Sequence, residues 1–428
     1  MAGQREVYAM STNLPKMDEA VVALLNDLVA EPSVQKALQI AIDERELAMQ
    51  EQVDICEIPA PTFEETVRAQ FVRERMKAYG LTDVKIDEVG NVIALRRGIA
   101  QGPSLAIAAH LDTVFPAGTD VTVKRDGHRY TAPGIGDNCS GLRALLQLIR
   151  CLNEAEIQTQ GDLYFVATVG EEGLGDIRGS KHFVANYHVD GFIAIDNTDI
   201  GRILRGAVGS HRYRMTIQGS GGHSYAHFGQ VPSAIHAMCL AGAKIAKIKV
   251  PTDPKTTFTI GKIIGGTSVN SIAPSCSVEV DMRSINNDEL LKLEAEVLRC
   301  FDEAVDEENA NWNIEAEDKK LRLVKESIGD RPAGVRPDDC PVIQASRAAL
   351  EALGKPLTNY GYSSTDANAP VSMGIPATCL SSGGYQYKSH SVHEYFDDID
   401  SHYGPQLLLL TALALCGTDK HPAYLPIR

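Results

Sequence analysis

The sequence predicts an α/β fold: a mainly parallel sheet flanked by helices, with an inserted, ferredoxin-like β-α-β-β-α-β domain. Three observations predict it. The short runs "NVIAL", "SLAIAAH", "LYFVATVG", "GFIAID" and "ATCLSS" are apolar without polar alternation, so they read as strands buried on both faces. A helical stretch, "LRALLQLIRCLNEAE", separates two of them. From about residue 208 the pattern changes to half-exposed strands and helices in a different order. At 428 residues the chain is also too long for one ordinary core.

In chain order, the segment from about 15 to 80 reads as helical. "DEAVVALLNDLVA" and "VQKALQIAIDERELAMQEQVDIC" carry apolar residues at helical spacing. "IPAPTFEE" breaks the pattern; "EETVRAQFVRERMKAYG" resumes it and stops at Gly80. The apolar strands and their helix follow. Then "HRYRMTIQG" reads as a strand and "PSAIHAMCLAGAKIAKI" as a helix. "TTFTIGKII" and "SCSVEVDMRS" are strands, "DELLKLEAEVLRCFDEAV" a helix, and "WNIEAEDKKLRLV" the last strand of the split motif. The expected division is a larger domain over 1–207 and 329–428, beginning with a helical extension over 1–55, and an inserted domain over 208–328.

Composition narrows the function. The net charge is −15, which argues against nucleic acid or an anionic membrane surface as partner. No apolar run approaches the roughly 20 residues that span a bilayer. "MAGQREVYAMSTNLPKMDEA" has no apolar core of a secretory signal, so a cytoplasmic location is expected. The nine cysteines are scattered and none forms a C-x-x-C pair, so neither a disulfide framework nor a thiolate zinc site is expected. "GIGDNCSG" meets neither dinucleotide nor P-loop spacing.

The chemistry concentrates at strand ends. In "AAHLDTV", His110 and Asp112 project to one side at the carboxyl end of a strand, the edge where open α/β sheets bind ligands. A ligating histidine wants a group holding its second nitrogen, and Asp112 is placed to supply one. Asp137 in "APGIGDNCSG" precedes a helix; Glu171 and Glu172 in "VATVGEEGLGD" and Asp196 in "GFIAIDNTD" end two more strands. His390, in "SSGGYQYKSHSVHEYF", follows another. Imidazole and carboxylate donors without thiolate suit a catalytic site for zinc, cobalt or manganese. Two ions would need a bridging carboxylate and a separate carboxylate base, and the adjacent Glu171–Glu172 pair can provide one ligand and one base.

These motifs, "HLDTV", "GEEGLG" and "H-S-V-H-E", occur in the order found in the di-zinc exopeptidase and deacylase superfamily. That superfamily includes acetylornithine deacetylase, succinyl-diaminopimelate desuccinylase, carboxypeptidase G and peptidase T. The resemblance runs from "IPAPTFEE" to the C-terminus, and "GGYQYKSHSVHE" is most similar to the peptidase T branch. It implies a zinc-exopeptidase fold with the inserted domain as a lid. It implies two divalent ions held by His110, Asp137, Glu172, Asp196 and His390, with Asp112 orienting His110 and Glu171 as general base. Asp137 would bridge, and the peptide to Asn138 would be cis. The family spacing picks His390, four residues before Glu394, over His393. His223 in "QGSGGHSY" matches a histidine that reaches an active site across a dimer interface, which implies a homodimer through the lid. Asn270 and Arg283 match substrate contacts; a strand-end salt bridge is the competing reading of Arg283, and a loop histidine that of His223. Asp366 matches a segment near the site. The family's Asp-Asp-Lys is replaced here by Asp137-Asn138-Cys139.

The implied activity is metal-dependent exopeptidase action on short peptides. The alternatives are an N-acyl-amino-acid deacylase or carboxypeptidase using the same residues, and a silent relative that binds peptides or serves as a scaffold.

Overall fold

The computed structural model describes residues 14–428. The first thirteen residues, part of the expected extension, lie outside the described residues. The chain divides into two compact units: Met1–Ala207 with Val335–Arg428, and Val208–Gly334.

The first unit is built on a six-stranded sheet. Its order is Asp83–Ile86, Val92–Arg96, Leu163–Thr168, Leu105–His110, Gly191–Ile195 and Ala377–Leu380. The last four strands run parallel, and the first two complete one edge antiparallel. Leu105–His110 and Gly191–Ile195 are buried along their whole lengths, as their uninterrupted apolar runs require. Residues Cys139–Glu154, Pro341–Ala352 and Tyr403–Cys416 are helices in the same unit, and all three pack on its sheet. The Tyr403–Cys416 helix reads "YGPQLLLLTALALC" and is buried on nearly every side, because it also carries the N-terminal helix Glu19–Ala30 on its outer face.

The N-terminal segment forms four helices, Glu19–Ala30, Pro32–Asp43, Arg45–Cys56 and Thr66–Ala78. The expected long helix of "VQKALQIAIDERELAMQEQVDIC" breaks at Glu44, where the chain bends so that both halves pack on Cys139–Glu154. Arg150 on that helix fixes the bend: its guanidinium, 3% exposed, donates to Glu44 at 2.6 Å and to Glu51 at 2.8 Å. Two small sheets escaped the sequence reading. One contains the parallel pair Arg202–Ala207 and Asn359–Ser363; the other joins Tyr385–Tyr387, Tyr395–Asp397, Arg129–Thr131 and Lys124–Asp126.

The second unit is a four-stranded antiparallel sheet in the order Thr256–Gly265, Ser275–Ser284, Gly209–Gln218, Arg322–Arg331. Burial alternates residue by residue along Ser275–Ser284, and helices Ala234–Ile245 and Asn287–Asn311 cover the apolar face. The element order is the expected β-α-β-β-α-β. The last strand is corrected, however. "WNIEAEDKKLRLV" is strand only from Arg322, and Trp312 caps the preceding helix. The Asn309 side chain closes the intervening loop by accepting from the Leu321 N–H at 2.9 Å and donating to its carbonyl at 3.3 Å. That strand then runs to Arg331, so the unit ends at Gly334 rather than at 328.

Eight of the nine cysteines are buried, and Cys239 is exposed. Among the described residues no helix is long and apolar enough to cross a membrane.

Candidate metal centre

The carboxyl edge of the parallel sheet gathers the candidate residues of the first unit. His110 closes its strand opposite Thr168, the last residue of the neighbouring strand. Glu171 and Glu172 follow that neighbour, and Asp196 follows Gly191–Ile195. Parallel register brings these three ends to one level.

His110 is 2% exposed. Its Nδ1 lies 3.0 Å from the backbone carbonyl of Asp112 and 3.6 Å from the Asp112 carboxylate. The main chain of Asp112 accepts from Nδ1 with the carboxylate standing behind it, and Nε2 turns toward Asp137 at 3.2 Å. The Asp112 carboxylate is engaged elsewhere. It accepts from the N–H of Glu171 at 2.9 Å, the N–H of Glu172 at 3.0 Å and the hydroxyl of Thr62 at 2.9 Å. Asp112 thus fixes the turn that carries both glutamates and ties it to "IPAPTFEE".

Asp137 sits on a loop held from two directions. The following peptide, to Asn138, is cis. Asn138 caps the Cys139–Glu154 helix by accepting from Gly141 N–H at 3.1 Å, and its amide donates to the Ile195 carbonyl at 2.7 Å, next to Asp196. On the other side Glu394, fully buried, accepts from Gly136 and Asp137 N–H through Oε1 at 2.8 and 2.9 Å, and from Gly134 N–H through Oε2 at 3.0 Å. In the sequence Glu394 served only as a spacing marker.

His390 reaches the same cluster. Its Nε2 lies 3.0 Å from Glu172 Oε1 and 3.2 Å from Asp137 Oδ2. His393 is exposed and bonds locally to Ser391.

His110, Asp137 and Glu172 each present a ligand atom, all within 4.8 Å of one another, and among the described residues no other three His, Cys, Asp or Glu side chains do so. His110 Nε2 and Asp137 Oδ1 are sealed from solvent and face each other at 3.2 Å. The charges point the same way. Hydrogen bonds that the His390 ring donates to Asp137 and Glu172 push it up to about 10. Burial opposes a charged His110, but Asp112 and Asp137 outweigh it and hold the imidazolium well above its usual range. Burial and the charge of Asp137 push Asp196 up to about 7. Acid groups packed this closely keep extra protons as substitutes for positive charge. Buried imidazole and carboxylate donors converging on an anionic centre, with no thiolate among them, fit divalent cations such as zinc.

Asp366, behind the centre, accepts from the Thr168 hydroxyl at 2.5 Å. The remaining candidates belong to the second unit. His223 is exposed on a two-residue strand paired with Ser271–Ile272, and its Nδ1 accepts from Tyr225 N–H at 3.2 Å. Asn270 adjoins it, the Asn270 carbonyl accepting from Ser224 N–H at 3.0 Å. Arg283 donates from Nε to Asp281 at 2.7 Å, the strand-end salt bridge that was its competing reading.

Comparison with known proteins places this geometry. The pattern of Peptidase family M20/M25/M40 matches residues 106–414. The uncharacterized protein YqjE of Bacillus subtilis is 27% identical over 365 residues, 80% of this chain and 91% of that protein. A succinyl-diaminopimelate desuccinylase of Bordetella avium is 25% identical over 62% of this chain and 75% of its own length. The crystal structure of a tripeptidase from Staphylococcus aureus superposes with a TM-score of 0.71 at 24% identity, covering 86% of this chain and 97% of that one. The family match begins on the strand that ends in His110 and extends past His390; the chain is a hydrolase that belongs to peptidase family M20/M25/M40.

Proposed function

We propose that this hydrolase is a metal-dependent exopeptidase for short peptides, an aminopeptidase of the peptidase T kind. One observation carries the reading: His110, Asp137, Glu172 and His390 converge at the sheet edge on a turn that also bears Glu171. His110, Asp137, Glu172, Asp196 and His390 would hold two divalent ions, zinc by preference, with cobalt or manganese as substitutes. Bound there, the ions supply Lewis acidity toward an amide carbonyl and acidify water.

The chain supplies the proton path. Glu171 takes a proton from the attacking water and returns it to the nitrogen of the breaking C–N bond, leaving a free acid and a free amine. Asp112 restrains the turn that carries both glutamates, and Glu172 faces His390. In this reading His223, reaching in from the partner of a homodimer, stabilises the developing oxyanion. Asn270 and Arg283 orient the substrate, with the second unit acting as a lid.

The Bordetella desuccinylase likeness favours a second reading, removal of an acyl group from an N-acyl amino acid at the same residues. Hydrolysis separates them. The panel holds di- and tripeptides with free or blocked N-termini, beside N-acetyl and N-succinyl amino acids, assayed after chelation and after zinc or cobalt is restored. Metal-restored cleavage of peptides with a free amine alone is the expected result. Cleavage of blocked or acylated substrates moves the chain to the deacylase or carboxypeptidase reading. Stoichiometric metal binding with no turnover of any substrate supports the silent relative.

A further inference from the structure

We infer that Glu394 is a positioning residue that clasps the loops bearing Asp137 and His390 into one metal-binding unit. The inference rests on reading those two residues as ligands.

The two loops are remote in sequence; the Asn138 side chain holds the first on its helix side, and the second is exposed. His390 has 55% of its side chain exposed and a left-handed backbone, φ 62°, so packing does not fix it. Its position follows from the turn around it, in which Ser391 N–H donates to Lys388 and Glu394 N–H donates to Ser391. Glu394 ends that turn and reaches across to the Asp137 loop. Its side chain takes three backbone N–H groups there, and its carbonyl takes a fourth, from Ala132 at 3.2 Å. A carboxylate has two oxygens in a rigid plane, so three converging donors fix the curl of residues 134–137 in both position and rotation. The fit is close: a Cβ added at Gly136 would lie 2.7 Å from Gln386 and 3.0 Å from Glu394 Oε1. Glu394 is thus one buried side chain that joins the Asp137 loop directly to the turn bearing His390.

The test uses the full-length protein stripped of metal. Glu394→Gln keeps the shape but leaves one acceptor oxygen for three donors and sets an NH2 against an N–H. Zinc affinity is measured by titration calorimetry, and the cobalt-loaded absorption spectrum reports ligand geometry. Glu394→Gln is expected to lower zinc affinity by about 10–100-fold, the range for partners of metal ligands, and to shift the cobalt bands. Hydrogen exchange at residues 134–137 is expected to rise. Zinc affinity and a cobalt spectrum equal to the parent in a folded variant overturn the inference. Asp137→Ala and His390→Ala run in parallel. If neither lowers zinc affinity or stoichiometry, the ligand reading itself has failed; if both do and Glu394→Gln does not, only the clasp has failed. Should Glu394→Gln not fold, Glu394→Asp is read by the same criteria. If neither variant folds, Glu394 supports the fold rather than the ligand pair, which also overturns the inference.

Discussion

At the scale of single residues, the proposed division of work between the two glutamates starts from what surrounds Glu172. Glu172 is drawn to His390 at 3.0 Å, while both backbone N–H groups are anchored on Asp112. The division predicts that Glu171→Gln retains the full metal complement, because it removes no donor from the cluster. Turnover should fall by about 10²–10⁴-fold, the typical contribution of a positioned base. Metal content by emission spectroscopy and steady-state rates on the same preparation check this. Near-parent turnover would remove Glu171 from the base role, and loss of metal would make it a ligand. His110, Asp137, Glu172 and His390 were legible in the sequence because each follows an apolar run or sits in a matching motif. Asp112 was legible as a partner but not in its manner of contact. A carboxylate spaced two residues from a histidine looks like its partner, and only the fold reveals that the main chain makes that bond. Glu394 was hidden for a related reason: its partners are backbone N–H groups of a remote loop, and backbone donors leave no mark in a sequence.

At the scale of elements, apolar patterning recovered what it encodes. Apolar runs without alternation marked the strands of the main sheet, including Val92–Arg96, which pairs antiparallel. It failed where an element is three residues long, as in Arg129–Thr131 and Tyr395–Asp397, since no period can be counted over three positions. It failed again at Glu44, where helical spacing continues through a bend fixed by an ion pair to Arg150. It misplaced the last strand of the second unit because that loop is closed by the side chain of Asn309. The Cys139–Glu154 helix is the element on which the centre most depends, since its cap links the Asp137 loop to the end of the Asp196 strand. Gly141 permits that cap. A Cβ there would lie 2.1 Å from Asn138 Oδ1 and 2.9 Å from the Ile195 carbonyl. Gly141→Ala is therefore predicted to destabilise the metal-free protein by about 1–3 kcal/mol, the usual cost of overpacking, despite the better helix propensity of alanine. Chemical denaturation measures it; a variant as stable as the parent would show that the cap tolerates displacement.

At the scale of the whole molecule, the two units have separate hydrophobic cores. The first centres on the apolar strands and the Tyr403–Cys416 helix, the second on the faces between its sheet and two helices. Every proposed ligand belongs to the first unit, so ligand linkage acts there directly: a group that binds only the folded state stabilises it by RT ln(1 + [L]/Kd), about 4 kcal/mol at a thousandfold excess over Kd. The single tryptophan of the chain, Trp312, lies in the second unit, where it packs edge-on to Phe228 and donates to Glu308 at 2.9 Å. Tryptophan fluorescence therefore reads the second unit alone, whereas far-ultraviolet circular dichroism reads both. Chelation is predicted to lower the thermal midpoint seen by circular dichroism and to leave the fluorescence midpoint nearly in place, with zinc reversing the difference. Equal shifts in both signals would mean that the units unfold as one cooperative body and that metal binding stabilises the second unit as well. No shift in either would count against the ion-binding reading of the cluster, because an ion that binds only the folded state stabilises it.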